Sequence, residues 1–240
     1  MNTQRKIGKG RTAEVFLTAE GCALKLFYPG YPMQAVEREL RNARMAVALH
    51  IPTPRCYGLV TVQDRAGILY ERAAGESLLN RLMRTGDVAG CASTLARLHR
   101  QLLTQTLPED ALDVREFLRH EIERNGKLPV EEKSRALAQL AALPGGNALC
   151  HGDFHPDNVL MDGERAMVLD WMNLCRGDPI SDVAQTWHLL ACSPLPPDVP
   201  AAQEFEEMRG LLADEYIRRM GMEKERLAQW LPVIKAARFG

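Results

Sequence analysis

The feature that most constrains this chain is a dense polar segment, Cys150-His151-Gly152-Asp153-Phe154-His155-Pro156-Asp157-Asn158, set between apolar stretches. So many polar groups beside a core cost free energy unless they are hydrogen bonded or carry out chemistry. Apolar residues 159–161 and 167–169 then flank Asp162-Gly163, a dipeptide that readily adopts the positive φ angles of a two-residue turn. The sequence therefore predicts a short hairpin that returns Asp170 to the end of the polar segment, which we name the 150–158 segment.

Two kinds of metal chemistry are open to these residues. A carboxylate beside an amide oxygen suits magnesium bound together with substrate phosphates, which makes Asp170 and Asn158 candidate ligands and leaves Asp153 to accept a proton. Alternatively, Cys150, His151, Asp153 and His155 are ligand types for a transition metal, as in metal-dependent phosphoesterases. That alternative needs further ligand segments, such as a later Gly-Asn-His, and the chain has none.

Composition indicates an ordinary globular protein without an obvious macromolecular partner. The 240 residues are 46% hydrophobic and 25% charged, and Lys plus Arg (30) nearly balance Asp plus Glu (31), giving a net charge of -1. This balance offers no electrostatic footprint for nucleic acid or an anionic membrane. The six cysteines form no CxxC pair and are expected to be reduced thiols. No signal-peptide pattern and no apolar run of about 18 residues occurs, so we expect a soluble, cytoplasmic protein.

Hydrophobic periodicity divides the chain into a mixed part and a mainly helical part. The first part has a predicted hairpin of two short strands between Ile7 and Tyr28, a helix opened by Pro32, and strands over 56–62 and 67–71. The second part has predicted helices over 88–102, 112–123, 130–143, 181–190, 205–220 and 223–237, with a proline-rich loop at 194–200. The predicted fold class is α+β, with the 159–169 hairpin embedded among helices.

The 150–158 segment resembles the catalytic loop of the aminoglycoside phosphotransferase family, which has the protein-kinase-like fold and includes choline kinases. The family's H-G-D-x-H-P-x-N loop is matched from His151 to Asn158, and its metal-binding Asp before an aromatic is matched by Asp170-Trp171. Its G-D-P-x-x-D-x-A stretch is matched over 177–184. By analogy with this fold, Asp182 is expected to be a buried anchor for the catalytic loop.

The first part of the chain agrees with the family more loosely. Its glycine-rich loop would contain Gly8 and Gly10, with Ala13 at the third glycine position, and Lys25 would be the phosphate-binding lysine of the next strand. Helical geometry does not choose between Glu37 and Glu39 as the partner of Lys25. The family's spacing to Pro54 favours Glu39. Glu71 and Arg72 would occupy the hinge whose backbone binds adenine.

The resemblance implies a single kinase-like domain over 1–240, with a nucleotide-binding N-lobe at 1–72 and a C-lobe at 76–240. It implies an ATP- and Mg²⁺-dependent phosphotransferase, with GTP as the alternative nucleotide, that phosphorylates a hydroxyl of a small molecule. Asp153 would be the catalytic base and Asn158 and Asp170 the metal ligands. Two alternatives remain, a Ser/Thr protein kinase and a catalytically silent nucleotide-binding module. The short stretch from Asp170 to Gly177 leaves little room for a long activation segment and disfavours the protein kinase.

Overall fold

The computed structural model describes residues 3–193 and 202–238. Its contacts divide the chain into two compact units, each built from two stretches of sequence. The first unit combines Met1–Leu78 with Asp157–Asn173, and the second combines Leu79–Pro156 with Leu174–Gly240. These units follow packing, whereas the lobe boundaries at 72 and 76 follow the order of motifs, so the lobe boundaries stay a prediction.

The first unit is built on a five-stranded antiparallel sheet of order β1-β2-β3-β5-β4. Its strands are β1 (Thr3–Lys9), β2 (Ala13–Thr18), β3 (Ala23–Phe27), β4 (Cys56–Val62) and β5 (Arg65–Tyr70). The region between Ile7 and Tyr28, predicted as a hairpin of two strands, thus contains β2, β3 and the end of a third strand, β1. Strand β1 was not predicted because it is a charged edge strand, and edge strands do not need an alternating apolar face. In the middle of the sheet, Lys25 lies opposite Val15 of β2 and Ile68 of β5.

Helix α1 (Met33–Ala48) packs against this sheet. It begins after Pro32, whose fixed φ suits a helix start, and its buried face includes Val36, Leu40 and Ala43. Val36 and Leu40 join a core with Phe27 and Ile68 from the sheet. The same face buries Glu39 and leaves Glu37 exposed.

A second, three-stranded sheet completes the first unit. It has the order β6-β8-β9, from β6 (Glu76–Ser77), β8 (Val159–Asp162) and β9 (Arg165–Val168). The hairpin predicted around Asp162-Gly163 is therefore present, and it pairs with a short strand that the sequence did not reveal. Val159 lies opposite Val168, so the residues just outside the hairpin, Asn158 and Leu169, are neighbours, and the Leu169 N–H donates to the Asn158 carbonyl at 2.8 Å.

The second unit is mainly helical. Within the described residues it contains most of α2 (Leu78–Thr85), α3 (Val88–Leu103), α4 (Val114–Arg124), α5 (Val130–Ala142), β7 (Ala148–Cys150), β10 (Cys175–Gly177), α6 (Pro179–Cys192), α7 (Ala202–Met220), α8 (Lys224–Leu227) and α9 (Leu231–Arg238). Asp87, Asp113 and Asp178 cap α3, α4 and α6 by accepting backbone N–H groups of the first turn. The α+β fold class predicted from the sequence is confirmed.

The last predicted helix, over 223–237, is instead two helices, α8 and α9. Pro232 explains the break, because proline lacks an N–H and its ring collides with the carbonyl four residues earlier. It fits only in a first turn, and α9 begins at Leu231. The proline-rich loop predicted at 194–200 lies outside the described residues. In the part of the chain that is described, no helix has the length and apolar character needed to cross a membrane.

We predict that Gly75→Ala strongly destabilises the protein. Gly75 has a φ of +109°, and a Cβ built there would lie 1.9 Å from the Met161 carbonyl oxygen on β8. Both the backbone strain and the clash oppose a side chain, so the free energy of unfolding should fall by about 3 kcal/mol or more in urea denaturation. Gly126→Ala is the matched control, because its methyl group would meet open space among the described residues. Equal denaturation midpoints for the two variants would contradict the prediction.

Candidate active site

In the first unit, one lysine is held between two carboxylates. The Lys25 ammonium on β3 lies 2.7 Å from Glu39 Oε1 on α1 and 3.1 Å from Asp170 Oδ1 after the hairpin. The Tyr70 hydroxyl also donates to Glu39 Oε1, at 3.1 Å. Glu39 is 1% exposed and Lys25 13%, whereas the Asp170 side chain is 39% exposed. The cluster thus has a buried end at Glu39 and a solvent-facing end at Asp170.

The charge of Lys25 is secure despite its burial. Burial by itself lowers the pKa of a lysine, but the negative charges of Glu39 and Asp170 outweigh this effect and raise the pKa of Lys25 above its ordinary value of 10.5. The amine is therefore fully protonated at neutral pH. A fixed ammonium of this kind can bind an anion at the exposed end of the cluster.

The backbone at Asp170 is held in an unusual conformation by its neighbours. Asp170 has a φ of 63°, in the left-handed region that few residues other than glycine, asparagine and aspartate adopt. The next residue, Trp171, is anchored at both ends, since its carbonyl accepts from Asn42 Nδ2 and its Nε1–H donates to Thr53 Oγ1, each at 2.9 Å. These contacts fix the turn that aims Asp170 at Lys25.

In the second unit, a buried carboxylate holds the backbone of the 150–158 segment. Asp182 on α6 is fully buried and accepts the N–H of His151 at 2.6 Å and the N–H of Gly152 at 2.9 Å. It also receives His99 Nε2 at 3.1 Å. Burial acts to raise the pKa of Asp182, but the hydrogen bond and charge of His99 and the segment's own groups prevail, so the pKa lies below its ordinary value.

His99 is itself oriented by a further residue. A carboxylate only accepts, so the Nε2 of His99 donates to Asp182, and its Nδ1 shares a hydrogen bond with the Tyr216 hydroxyl at 2.6 Å. The contacts run from α7 through α3 to α6 and reach the 150–158 segment. His99 belongs to no motif of the sequence, although its spacing from Leu95 and Leu102 places it on the buried stripe of α3.

Asp153 is surrounded by positively charged or protonatable groups of the second unit. Its Oδ1 lies 3.1 Å from Arg238 Nη1, and its Oδ2 lies 3.8 Å from His155 Nε2. Burial acts to raise the pKa of Asp153, but the nearby His155 and the charge of Arg238 have a stronger effect, so the pKa falls well below its ordinary value of 3.8. Asp153 is therefore ionised throughout the neutral range. Arg238 belongs to no motif and was not singled out from the sequence.

The remaining predicted binding residues lie at strand ends of the first unit. Gly8 is in β1, and the Gly10 N–H donates to the Ala13 carbonyl at 2.8 Å to close the turn between β1 and β2. Ala13, at the third glycine position, is buried. Glu71 and Arg72 follow the end of β5 and are exposed. The Glu71 N–H donates to the Arg55 carbonyl at 2.8 Å.

The donor chemistry fits a hard cation better than a transition metal. Among the described residues, no three histidine, cysteine, aspartate or glutamate side chains come together as a metal site. Cys150 is fully buried, and burial together with the neighbouring Cys175 raises the pKa of its thiol, which disfavours the thiolate that zinc binds. Asn158 and Asp170 instead offer two oxygens at the base of the hairpin, which is the number magnesium commonly takes from protein.

We predict that Asp182→Asn lowers the free energy of unfolding by roughly 2–4 kcal/mol at pH 7, because it removes a buried charge bound by three donors. The folded pKa of Asp182 is depressed, so its stabilisation is complete above pH 3.8 and is lost as the pH falls through the folded pKa. The difference from the unaltered protein in urea denaturation should therefore shrink in acid. Asp162→Asn, at the exposed hairpin turn, is the control, and a pH-independent difference would refute the assignment.

Comparison with known proteins identifies the family of the chain. Residues 3–220 match the family described as the phosphotransferase enzyme family. A comparison of the sequence with curated proteins finds no match. Among solved structures, aminoglycoside phosphotransferase APH(3'')-Id from Streptomyces rimosus is 20% identical, with a TM-score of 0.62 over 98% of this chain and 93% of that chain.

Two further solved structures share the fold. An aminoglycoside-3'-phosphotransferase of type VIII is 21% identical, with a TM-score of 0.65 over 97% of this chain and 91% of that chain. A choline/ethanolamine kinase family protein from Mesorhizobium loti is 19% identical, with a TM-score of 0.60 over 97% of this chain and 76% of that chain. The family match spans most of the sequence, from the first strand to the end of α7. The chain therefore belongs to the phosphotransferase enzyme family and has its kinase-like fold.

Proposed function

We propose that this protein transfers the γ-phosphate of ATP, with Mg²⁺, to a hydroxyl group of a small molecule. The observation that carries the proposal is the position of Lys25, whose ammonium contacts Glu39 and Asp170 together. Phosphoryl transfer needs little covalent help from protein, but it needs phosphates held in place and their charge neutralised. A charged lysine fixed by a buried glutamate, next to an exposed aspartate, suits that task.

The roles in nucleotide binding follow from the chemistry of each group. Lys25 would bind the α- and β-phosphates, and Glu39 would keep its ammonium in place. The turn that contains Gly8 and Gly10 would cover the phosphates, and the backbone at Glu71 and Arg72 would bind the adenine. ATP is the expected donor and GTP the alternative. An ATP-dependent reaction also suits the cytoplasmic location expected from the sequence, which stays a prediction.

Magnesium would be held by Asn158 and Asp170. Its chemistry would be to neutralise phosphate charge during transfer. In support, the hydrogen bond between Leu169 and Asn158 keeps these two ligands at the same end of the hairpin. The exposed fraction of the Asp170 side chain leaves it accessible to a cation and its water ligands.

Asp153 would orient the acceptor hydroxyl and accept its proton. Its depressed pKa keeps the carboxylate ionised near neutral pH, so the group can accept a hydrogen bond from the acceptor hydroxyl there. His151 would not take part in chemistry, because its ring is fully buried and its Nδ1 faces the Asp153 N–H at 3.3 Å. Its place is within the loop that presents Asp153.

The acceptor is proposed only as a class. The Streptomyces rimosus enzyme has been solved in complex with ADP and streptomycin, and the Mesorhizobium loti protein belongs to the choline/ethanolamine kinase family. These relatives support a nucleotide and a small acceptor for this chain. At 19–22% identity they do not support one acceptor over another, so aminoglycosides are one arm of a wider screen.

We predict that Asp153→Asn abolishes most turnover while ATP still binds. The amide cannot accept the hydroxyl proton, so kcat should fall by about 10²–10⁴-fold in an ATP-consumption assay over aminoglycosides, amino alcohols, sugars, nucleosides and vitamin alcohols. Lys25→Ala should instead weaken productive ATP placement. Asp110→Asn, on an exposed loop, is the control. Unchanged turnover in the Asp153 variant would remove Asp153 as the base.

We also predict a magnesium-dependent stabilisation by ATP. With free nucleotide at 100 times its Kd, binding to the folded state alone should add about 2.7 kcal/mol of stability, which a thermal melting assay detects. Chelation with EDTA or the change Asp170→Asn should remove most of this shift, because the first removes the metal ion and the second removes one of its proposed ligands. Asp162→Asn should leave it intact. Absence of any shift with the unaltered protein would contradict the kinase proposal.

A further inference from the structure

We propose that Arg238, on the last helix, is a positioning residue for Asp153, holding one carboxylate oxygen so that the other faces the acceptor. The inference rests on the proposed function. It concerns a residue outside all the motifs that relate this chain to its family. Both residues belong to the second unit, so the argument needs only contacts within that unit.

The guanidinium of Arg238 donates to three acceptors, two in the 150–158 segment and one on α6. Its Nη1 donates to Asp153 Oδ1 at 3.1 Å, and its Nη2 donates to the Gly152 carbonyl at 2.5 Å and to Gln185 Oε1 at 3.1 Å. Arginine suits this role because its planar fork carries several donors in fixed directions and stays charged at any working pH. One side chain therefore fixes the rotation of Asp153 relative to α6 and the 150–158 segment.

Helix α9 holds Arg238 at this place by its own packing. Its inner face, which includes Val233, Ile234 and Ala237, is buried, and the helix contacts α4, α5 and α6. The Asn125 side chain also donates to the Ala236 carbonyl at 2.8 Å, close to the end of the helix. The arginine is thus presented by a fixed element, and its side chain is only 24% exposed.

The contact with Asp153 is not needed to hold the backbone of the segment. Asp182 already binds the N–H groups of His151 and Gly152. Arg238 adds a contact to the side chain that is proposed to meet the acceptor. Removing its charge should therefore change catalysis more than folding, and this separates a positioning role from a purely structural one.

The pH dependence of Asp153 reports this contact directly. The groups that face Asp153 and Arg238 are His151 and His155 from the segment, Asp182 and His188 from α6, and Lys235 from α9, with His99 of α3 behind Asp182. Arg238 is the permanent cation in contact with the Asp153 carboxylate. Its loss should raise the pKa of Asp153 toward the ordinary value of 3.8, with the histidines providing the remaining depression.

The test compares Arg238→Gln, Arg238→Lys and the exposed control Arg226→Gln in two measurements. The first is the kcat and KM for Mg-ATP with the best acceptor from the screen. We expect kcat to fall 10–100-fold in Arg238→Gln, partial recovery in Arg238→Lys, no change in the control, and a KM for ATP within about twofold of the unaltered protein. An unchanged kcat in a folded Arg238→Gln protein would overturn the inference.

The second measurement is a titration of the Asp153 carboxyl carbon by NMR in ¹³C-aspartate-labelled protein, with Asp153→Asn assigning the signal. It needs no acceptor and no turnover. A pKa that rises in Arg238→Gln but not in Arg226→Gln supports the contact, and an equal pKa in all three proteins overturns it. If the unaltered protein consumes no ATP with any acceptor, the proposed function fails first. If the unaltered protein is active and Arg238→Gln has the same kcat and the same Asp153 pKa, the inference fails while the proposed function stands.

Discussion

The second unit depends on the hydrogen bonds that Asp182 accepts from the backbone N–H groups of His151 and Gly152. A fully buried carboxylate is unfavourable unless donors surround it, and two backbone N–H groups and His99 meet that requirement. The same donors cannot point elsewhere while they bind Asp182. The backbone conformation at His151 and Gly152 is thereby fixed by the need to solvate one charge. Asp153 inherits its position from that arrangement, one residue after the last N–H group bound.

The first unit uses the opposite device, a buried cation shared by two anions. Glu39 is rigid because it sits on the inner face of α1, and Asp170 is placed by the hairpin and by the contacts of Trp171. Lys25 lies between them on a central strand. Of the two carboxylates Asp170 is the accessible one, which is why it, and not Glu39, is the proposed metal ligand.

Sequence reasoning succeeded where the signal is local. The Asp162-Gly163 turn and the α1 stripe are each contained in a short stretch, and the hairpin and the helix that they predict are present. It did not predict β1, because a charged edge strand has no alternating pattern. It also did not predict the interruption of the last helix at Pro232. Arg238 could not be found at all, since its partner Asp153 lies 85 residues earlier and only tertiary packing relates the two.

The left-handed backbone of Asp170 constrains how sequences of this kind can diverge. At a φ of 63° aspartate and asparagine are tolerated and glycine is unstrained, whereas most other residues would also distort the turn that supports Trp171. In a relative without activity, asparagine or glycine would thus be the least disruptive replacements at this position. Under the role proposed for Asp170 as a metal ligand, asparagine or glycine in an otherwise intact sequence would mark loss of chemistry with retention of the fold, whereas a branched residue would indicate a rebuilt turn.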